Sequence, residues 1–312
     1  ECYFASGHLD AASAMFTASH NPSSYNGIKL SRAGAKGISM DTGLANILER
    51  AEKFLEVGIE EVAEVGFSSE HDILVEYASY LRELVDLSKI RPLTIVIDAA
   101  NGMGGLTAPA VLGTAAKLDA LAIEIIPMYF ELDGSFPNHE ANPLDPKNLV
   151  DLQKAVLTHG ADAGLAFDGD ADRCFVIDEK GHPVTPSAVA AIVSLSEIAR
   201  AKARGEKQIT VLHNLLTSRA VAEFITSAGA TPVRTRVGHS LIKDDMARTG
   251  AIFGGEHSAH YYFKDFFGAD NGMLAAMNVL FELGSQDKPL SEFAARFDPY
   301  FASGEINSTV SD

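Results

Sequence analysis

Asp168-Gly169-Asp170-Ala171-Asp172-Arg173 carries three carboxylates at alternate positions, with only glycine and alanine between them. Small intervening residues let all three side chains turn toward one point. An oxygen-only cluster this anionic suits a hard cation such as Mg2+ or Ca2+. Without a cation the carboxylates repel, and at least one is driven to keep its proton. Gly164-Leu165-Ala166-Phe167 before the cluster and Cys174-Phe175-Val176-Ile177 after it are short apolar runs, which predict buried strands. The cluster is expected on a tight strand-to-strand loop.

Three readings compete for it. In a calcium loop of the EF-hand type, Asp168, Asp170, Asp172 and Glu179 fall at the required offsets, but Arg173 stands where the turn needs glycine and the flanks read as strands. In an aspartyl phosphatase of the haloacid-dehalogenase type, Asp168 is the nucleophile and Asp170 the acid/base, but the hydroxyl residue expected at Asp172 is missing. A solvated acidic turn leaves Arg173 and the small residues unexplained.

With 312 residues the chain has room for two or three domains at about 100–150 residues each. A hydrophobic content of 46% supports well-formed cores. A net charge of −17 argues against nucleic acid or an anionic membrane surface as partner, while an anionic small substrate remains compatible with a locally positive site. Cys2 and Cys174 make neither a disulfide framework nor a metal-ligand set, so a reducing cytoplasm is the expected compartment. No apolar run approaches the ~18 residues of a membrane span, and no signal peptide is visible. The start at Glu1 and the polar tail Asn307 to Asp312 read as the edges of a piece of a longer protein.

Thr17-Ala18-Ser19-His20-Asn21-Pro22 follows an apolar stretch, Ala11 to Phe16, and the dipeptides Asn21-Pro22 and Asn26-Gly27 predict turns. Ser19 is therefore presented on a loop beside His20, with Lys29 on the strand that resumes at Ile28. Such a serine is a nucleophile or phosphate carrier, or part of an ordinary polar turn. Asp41 to Val57 and Glu70 to Leu87 have apolar residues at helical spacing and predict scaffold helices. Lys89-Ile90-Arg91-Pro92 reads as a linker.

Thr94 to Ile97 predicts a strand, Asp98 to Gly105 a glycine-rich turn, and the residues from about Thr107 a helix, the opening of a parallel α/β unit. The glycines lack the dinucleotide-binding spacing, and close helix–strand packing is their expected use. Strand, turn and helix alternate again through Ser187–Ala203, Ile209–Leu212, Ser218–Ala228 and Thr231–Val237, up to Gly238-His239. Gly254-Gly255-Glu256-His257-Ser258-Ala259-His260 follows a predicted strand, Ala251 to Phe253. Its glycines allow close backbone approach, and its Glu and Ser suit hydroxyl groups of a ligand. Its histidines do not form the helical zinc arrangement. Tyr261 to Phe263 predicts a strand, Ala269 to Gly272 a helix cap, and Ser291 to Arg296 a last helix.

The three loops at Ser19, Asp168 and Glu256, in this order and at these separations, resemble the α-D-phosphohexomutase family, above all its bacterial phosphomannomutase/phosphoglucomutase branch. The resemblance covers essentially the whole chain. It implies an α/β fold of consecutive mixed-sheet domains: 1–89 with the serine loop, 90–185 with the metal loop and 186–301 with the sugar-binding loop, followed by a linker at 302–312. Most of the first domain and all of a fourth, phosphate-clamping domain are expected to be missing, so residues 1–312 alone are expected to turn over poorly. The implied activity is interconversion of hexose 1-phosphate and hexose 6-phosphate, mannose or glucose, through a phosphoserine and a bisphosphorylated sugar.

By the same resemblance, Ser19 matches the phosphoserine, and Asp168, Asp170 and Asp172 match the Mg2+ ligands, completed by the Ser19 phosphoryl group. Arg173 matches an arginine beside the phosphoryl group, and His20 and Lys29 match basic residues of the serine loop. His239 and Lys243 match residues near the substrate, and Glu256, Ser258 and His260 the sugar-binding loop. A hexose 1,6-bisphosphate is the implied activator. His20, Lys29 and His239 all remain candidates for the acid/base. Ala259 stands where the family loop has glycine and is expected to tighten the pocket. His257 resembles the mannose/glucose branch. A phosphoglucosamine mutase, or a non-catalytic metal- or sugar-phosphate-binding module, is the alternative.

Overall fold

The computed structural model describes residues 1–59 and 61–302, the side chains of residues 239–241 excepted. The chain opens with α1 (Cys2–His8), β1 (Ser13–Phe16), β2 (Ile28–Arg32), β3 (Lys36–Gly37), α2 (Ala45–Val57) and α3 (Leu74–Leu84). There follow β4 (Leu93–Asp98), α4 (Gly104–Val111), β5 (Ile123–Met128), α5 (Val150–His159), β6 (Ala163–Phe167), β7 (Cys174–Asp178) and β8 (Pro183–Val184). The last stretch holds α6 (Pro186–Ala203), β9 (Thr210–Asn214), α7 (Arg219–Ser227), β10 (Thr231–Thr235) and α8 (His239–Thr249). It continues through β11 (Phe253–Gly255), β12 (Tyr261–Phe263), β13 (Ala269–Asp270), α9 (Gly272–Gly284) and α10 (Leu290–Ala295).

Two five-stranded sheets share one topology. Their orders are β5-β4-β6-β7-β8 and β10-β9-β11-β12-β13. In each, the first three strands are parallel and the last two are added antiparallel. Every residue of β6 and β7 is buried, as expected of strands covered on both faces, and this explains their unbroken apolar runs. The β6–β7 and β11–β12 hairpins therefore occupy equivalent places, and they carry the aspartate loop and the Glu256 loop.

Both hairpin loops begin with the same turn. The Ala171 N–H donates to the Asp168 carbonyl at 3.0 Å, and the Ala259 N–H to the Glu256 carbonyl at 3.1 Å. Ala171 (φ 57°) and Ala259 (φ 64°) are both left-handed, a conformation that favours glycine. Alanine at 259 thus bears on backbone strain, beyond the narrower pocket expected from the sequence.

A smaller antiparallel sheet, β1-β2-β3, presents the serine loop. Ser13 pairs with Ser31 and Phe16 with Ile28, and the Thr17 N–H donates to the Gly27 carbonyl at 3.0 Å to close the loop. The buried core runs unbroken from β4, β6 and β7 through α6 and α9 into β11 and β12. The α9 helix starts against the aspartate loop, where a side-chain carbon on Gly272 would lie 2.6 Å from the Arg173 carbonyl.

Three expectations need adjustment. The helix expected from Asp41 is kinked: Met40–Leu44 forms a π-helical turn broken at Gly43 (φ 140°), and regular α2 begins at Ala45. No residue of it is buried, and Ile47, Leu48 and Leu55 of its periodic apolar face are exposed. The strand before the Glu256 loop is Phe253–Gly255, two residues later than expected, because Gly254 and Gly255 continue the parallel pairing with β9. Among the described residues, no helix is long and apolar enough to cross a membrane.

Candidate active site

The serine and aspartate loops are tied together side chain to side chain. Thr17 Oγ1 accepts the Ser19 N–H at 2.8 Å and donates to Asp170 Oδ2 at 2.9 Å. Ser19 itself is left-handed, with φ 54°, which aims its hydroxyl inward. Ser19 Oγ donates to Asp168 Oδ2 at 3.1 Å and accepts from Arg173 Nη2 at 3.0 Å. His20 Nδ1 lies 3.4 Å from the same hydroxyl and also contacts Arg173 Nη2.

Arg173 is only 1% exposed, and Asp168 is fully buried. The Arg173 backbone N–H donates to Asp168 Oδ1 at 3.1 Å, and its Nε to Oδ2 at 2.8 Å. A charge-assisted contact of this kind locks the guanidinium plane. Lys29 reaches the other two carboxylates, with Nζ 2.7 Å from Asp170 Oδ2 and 2.6 Å from Asp172 Oδ2. Asp168, Asp170 and Asp172 each offer an oxygen within 4.8 Å of the others.

Burial and the neighbouring Asp172 push the Asp168 carboxyl up to about 7, although Arg173 opposes them. Asp172 is held below the usual carboxylate range: burial and Asp270 work against ionisation, but His260 and Lys29 outweigh them. Burial also opposes the Lys29 charge, yet Asp172 and Asp170 hold its pKa above the usual lysine value. Burial and Arg173 push His20 down to about 4, so this imidazole is neutral at physiological pH.

Asp170 Oδ1 is buried with no hydrogen-bond partner among the described residues. A buried acceptor left this way is costly unless something cationic meets it. The unpaired oxygen and the three-carboxylate donor set both fit a hard divalent cation. Glu179, the last ligand of the calcium-loop reading, instead accepts from the Ser291 N–H at 2.9 Å. That reading fails on geometry.

The Glu256 loop faces the metal loop. Arg173 and His260 form an antiparallel backbone bridge. His260 Nε2 lies 3.5 Å from Asp172 Oδ1 and its Nδ1 3.3 Å from Ser258 Oγ. Glu256 is 2% exposed, held by the Tyr262 hydroxyl at 2.8 Å and by Asn214 Nδ2 at 3.2 Å. His257 turns the other way, its Nδ1 2.8 Å from Ser187 Oγ.

The structure thus brings together Ser19, His20, Lys29, Asp168, Asp170, Asp172, Arg173 and His260. Lys243 faces Asp270 at 3.0 Å, and its ammonium sits 3.9 Å from the Tyr3 ring centroid. The His239 side chain lies outside the described residues. Sequence reasoning missed Thr17, Asn214, Tyr262 and Asp270. Only Thr17 carried a signal, two residues before Ser19 in the same turn. The others reach the site through strand pairing that no local pattern reveals.

Comparison with known proteins agrees with this geometry. The family models described as phosphoglucomutase/phosphomannomutase, alpha/beta/alpha domains I, II and III match residues 1–55, 75–181 and 186–300. A phosphomannomutase of Escherichia coli K12 is 39% identical over 314 residues, covering 99% of this chain and 67% of the relative.

The chain belongs to the phosphoglucomutase/phosphomannomutase family.

A solved structure of a phosphoglucomutase/phosphomannomutase family protein from Burkholderia thailandensis superposes with a TM-score of 0.78 at 28% identity. The match covers 92% of this chain and 58% of that one, so the chain spans between about half and two thirds of such relatives. The Aspergillus fumigatus N-acetylphosphoglucosamine mutase, solved in complex with GlcNAc-6P and magnesium, matches at a TM-score of 0.53 and 15% identity. It covers 76% of this chain and 55% of its own, and shows the shared fold alone. The phosphoglucomutase/phosphomannomutase assignment leaves no place for the dehalogenase-type phosphatase reading.

Proposed function

We propose that this chain carries the phosphoryl-transfer centre of a hexose-phosphate mutase, with Ser19 shuttling a phosphoryl group between the C1 and C6 oxygens of mannose or glucose phosphate. The observation that carries it is the Ser19 hydroxyl, held 3.1 Å from Asp168 and 3.0 Å from Arg173 where loops of three sheets meet. A hexose 1,6-bisphosphate would load the serine. The domain division at 1–89, 90–185 and 186–301 belongs to the same reading.

Asp168, Asp170 and Asp172, with an oxygen of the phosphorylated Ser19, would hold Mg2+. The all-oxygen donor set and the unpaired Asp170 Oδ1 support this. Bound there, a divalent cation offsets the charge of the transferring group. Arg173 directs Nη2 at the serine oxygen and stays charged against Asp168. Lys29, paired with two carboxylates, supplies positive charge. Neutral His20 and the Asp172-facing His260 are groups at the cluster able to move a proton. Glu256, Ser258 and His260 would meet the sugar hydroxyls, with Asn214 and Tyr262 orienting Glu256.

The test is conversion of mannose, glucose and glucosamine 1-phosphates to their 6-phosphates with Mg2+ and a bisphosphate activator. Conversion of the first two, lost in Ser19→Ala, is expected. Conversion of glucosamine 1-phosphate alone would move the chain to the other branch. Turnover unaffected by Ser19→Ala, or no transfer of phosphate from the bisphosphate to Ser19, would contradict the reading.

A further inference from the structure

The glycine-rich turn after β4 touches the metal loop without contributing a side chain to it. Met103 N–H donates to the Gly169 carbonyl at 2.9 Å. A side-chain carbon on Gly102 would lie 2.6 Å from that carbonyl oxygen, and one on Gly169 would lie 2.5 Å from the Ser19 carbonyl oxygen. Three backbones are therefore stacked in contact: the turn, the metal loop between Asp168 and Asp170, and the serine loop. No side chain fits between any two of them.

The turn is strained. Ala100 (φ 48°) and Asn101 (φ 57°) are consecutive left-handed residues without glycine's freedom. A compact polar network holds them. Asp98, 1% exposed, accepts the Ala100 N–H at 2.9 Å through Oδ1. Its Oδ2 lies 3.0 Å from His139 Nε2, and His139 Nδ1 is 2.9 Å from the Glu140 carbonyl. With an acceptor at each ring nitrogen, only the doubly protonated imidazolium satisfies both. Asn101 spends its side chain the same way, donating to the Glu131 carbonyl at 2.9 Å and accepting from Asn138 Nδ2 at 2.8 Å.

We propose that Asn138 and His139 are positioning residues for the metal loop, holding the Ala100-Asn101-Gly102 turn as a backstop that seats Gly169 on the Ser19 carbonyl. Neither residue touches the three carboxylates of the aspartate loop, although the loop that carries them, between β5 and α5, also brings Ala141 and Phe136 within 3.5 and 3.6 Å of a side-chain carbon built on Gly169. Losing the Asp98–His139 or Asn101–Asn138 link frees the turn to relax, and the spacing of Asp168 and Asp170 on either side of Gly169 relaxes with it. The inference rests on reading the aspartate loop as a cation site.

The test is Mg2+ titration by calorimetry of the unaltered protein and of Asn138→Ala, His139→Ala, His139→Gln and Gly102→Ala, with melting temperatures recorded alongside. Groups hydrogen-bonded to a metal ligand typically change metal affinity by about 10–100-fold, and Asn138 and His139 act one contact further out. We expect His139→Ala and Gly102→Ala to bind Mg2+ about tenfold more weakly, at the low end of that range, and His139→Gln, which keeps an N–H for Asp98, to recover most of the loss. If His139→Ala does not fold, Asn138→Ala and Gly102→Ala decide. Unchanged affinity in the folded variants, whatever their melting temperatures, would overturn the inference. Absence of Mg2+ binding by the unaltered protein would overturn the cation reading and the inference with it.

Discussion

Arg173 and His260 are bridged backbone to backbone, although they belong to hairpins of two different sheets. The two hairpins hold equivalent positions in sheets of one topology, so the bridge joins like to like. One hairpin presents the carboxylate cluster and the other Glu256, Ser258 and His260. The distance between the carboxylate cluster and the Glu256 loop is set by that bridge and by Gly272, packed on the Arg173 backbone.

Gly272→Ala should disturb this junction. The added carbon meets backbone at 2.6 Å, and backbone cannot rotate away as a side chain can. Overpacking of this kind costs about 1–3 kcal/mol. Urea unfolding should show a loss of that size; a variant as stable as the parent would mean the α9–Arg173 contact is loose.

Removing the Arg173 charge should be more damaging. Arg173→Met leaves Asp168 buried without its partner, and breaking a buried pair typically costs about 3–5 kcal/mol. Asp168 can escape part of the cost by keeping its proton, so the loss should be smaller in mild acid than in mild alkali. Chemical unfolding at both pH values checks this, and a loss independent of pH would argue against Asp168 as the stranded charge.

The raised Asp168 value also gives the unaltered protein a pH dependence. Burial and Asp172 push folded Asp168 up to about 7, from the ordinary aspartate value of 3.8. The folded state therefore binds more protons than the unfolded state between these values, and stability falls as pH rises through that window. A cation relieves the repulsion, so Mg2+ should raise the melting temperature more above pH ~7 than near pH ~4. Equal Mg2+ shifts at both ends would contradict the linkage.

Asp170→Asn should abolish the Mg2+-induced rise in melting temperature while leaving the protein folded, because the unpaired Oδ1 belongs to that side chain. A full Mg2+ response in this variant would place the cation elsewhere.

Ala171 and Ala259 offer an opposite test. Both are alanines in the left-handed region, where alanine is disfavoured by about 1–2 kcal/mol. Ala171→Gly and Ala259→Gly should each stabilise the protein by up to about 1 kcal/mol, since the greater flexibility of unfolded glycine offsets part of the relief. Destabilisation in both would show that the methyl groups contribute more by packing than they cost in strain.

Much of this was legible in the sequence where the signal is local. The runs around Asp168 read as strands because both faces of β6 and β7 are covered, and Tyr261–Phe263 formed as expected. The Asn271 side chain caps α9 by accepting the Leu274 N–H, as the Ala269–Gly272 stretch predicted. What escaped is long-range. Lys243 meets Asp270, Glu256 meets Asn214, and Arg173 meets His260 only because strands distant in sequence pair. The α1 helix was missed because it has seven residues and no side-chain cap, and Phe4, packed against Tyr77 and Tyr80, anchors it. The α2 periodicity predicts a packed scaffold helix, yet its apolar residues Ile47, Leu48 and Leu55 are exposed.

The most direct measurement is the site of covalent phosphate. After incubation with glucose 1,6-bisphosphate and Mg2+, peptide mass spectrometry should find phosphate on Ser19, and Ser19→Ala should take up none. Phosphate on Asp168, or no covalent phosphate while sugar phosphates still interconvert, would contradict a phosphoserine centre built from the Ser19 hydroxyl, Arg173 and the three aspartates.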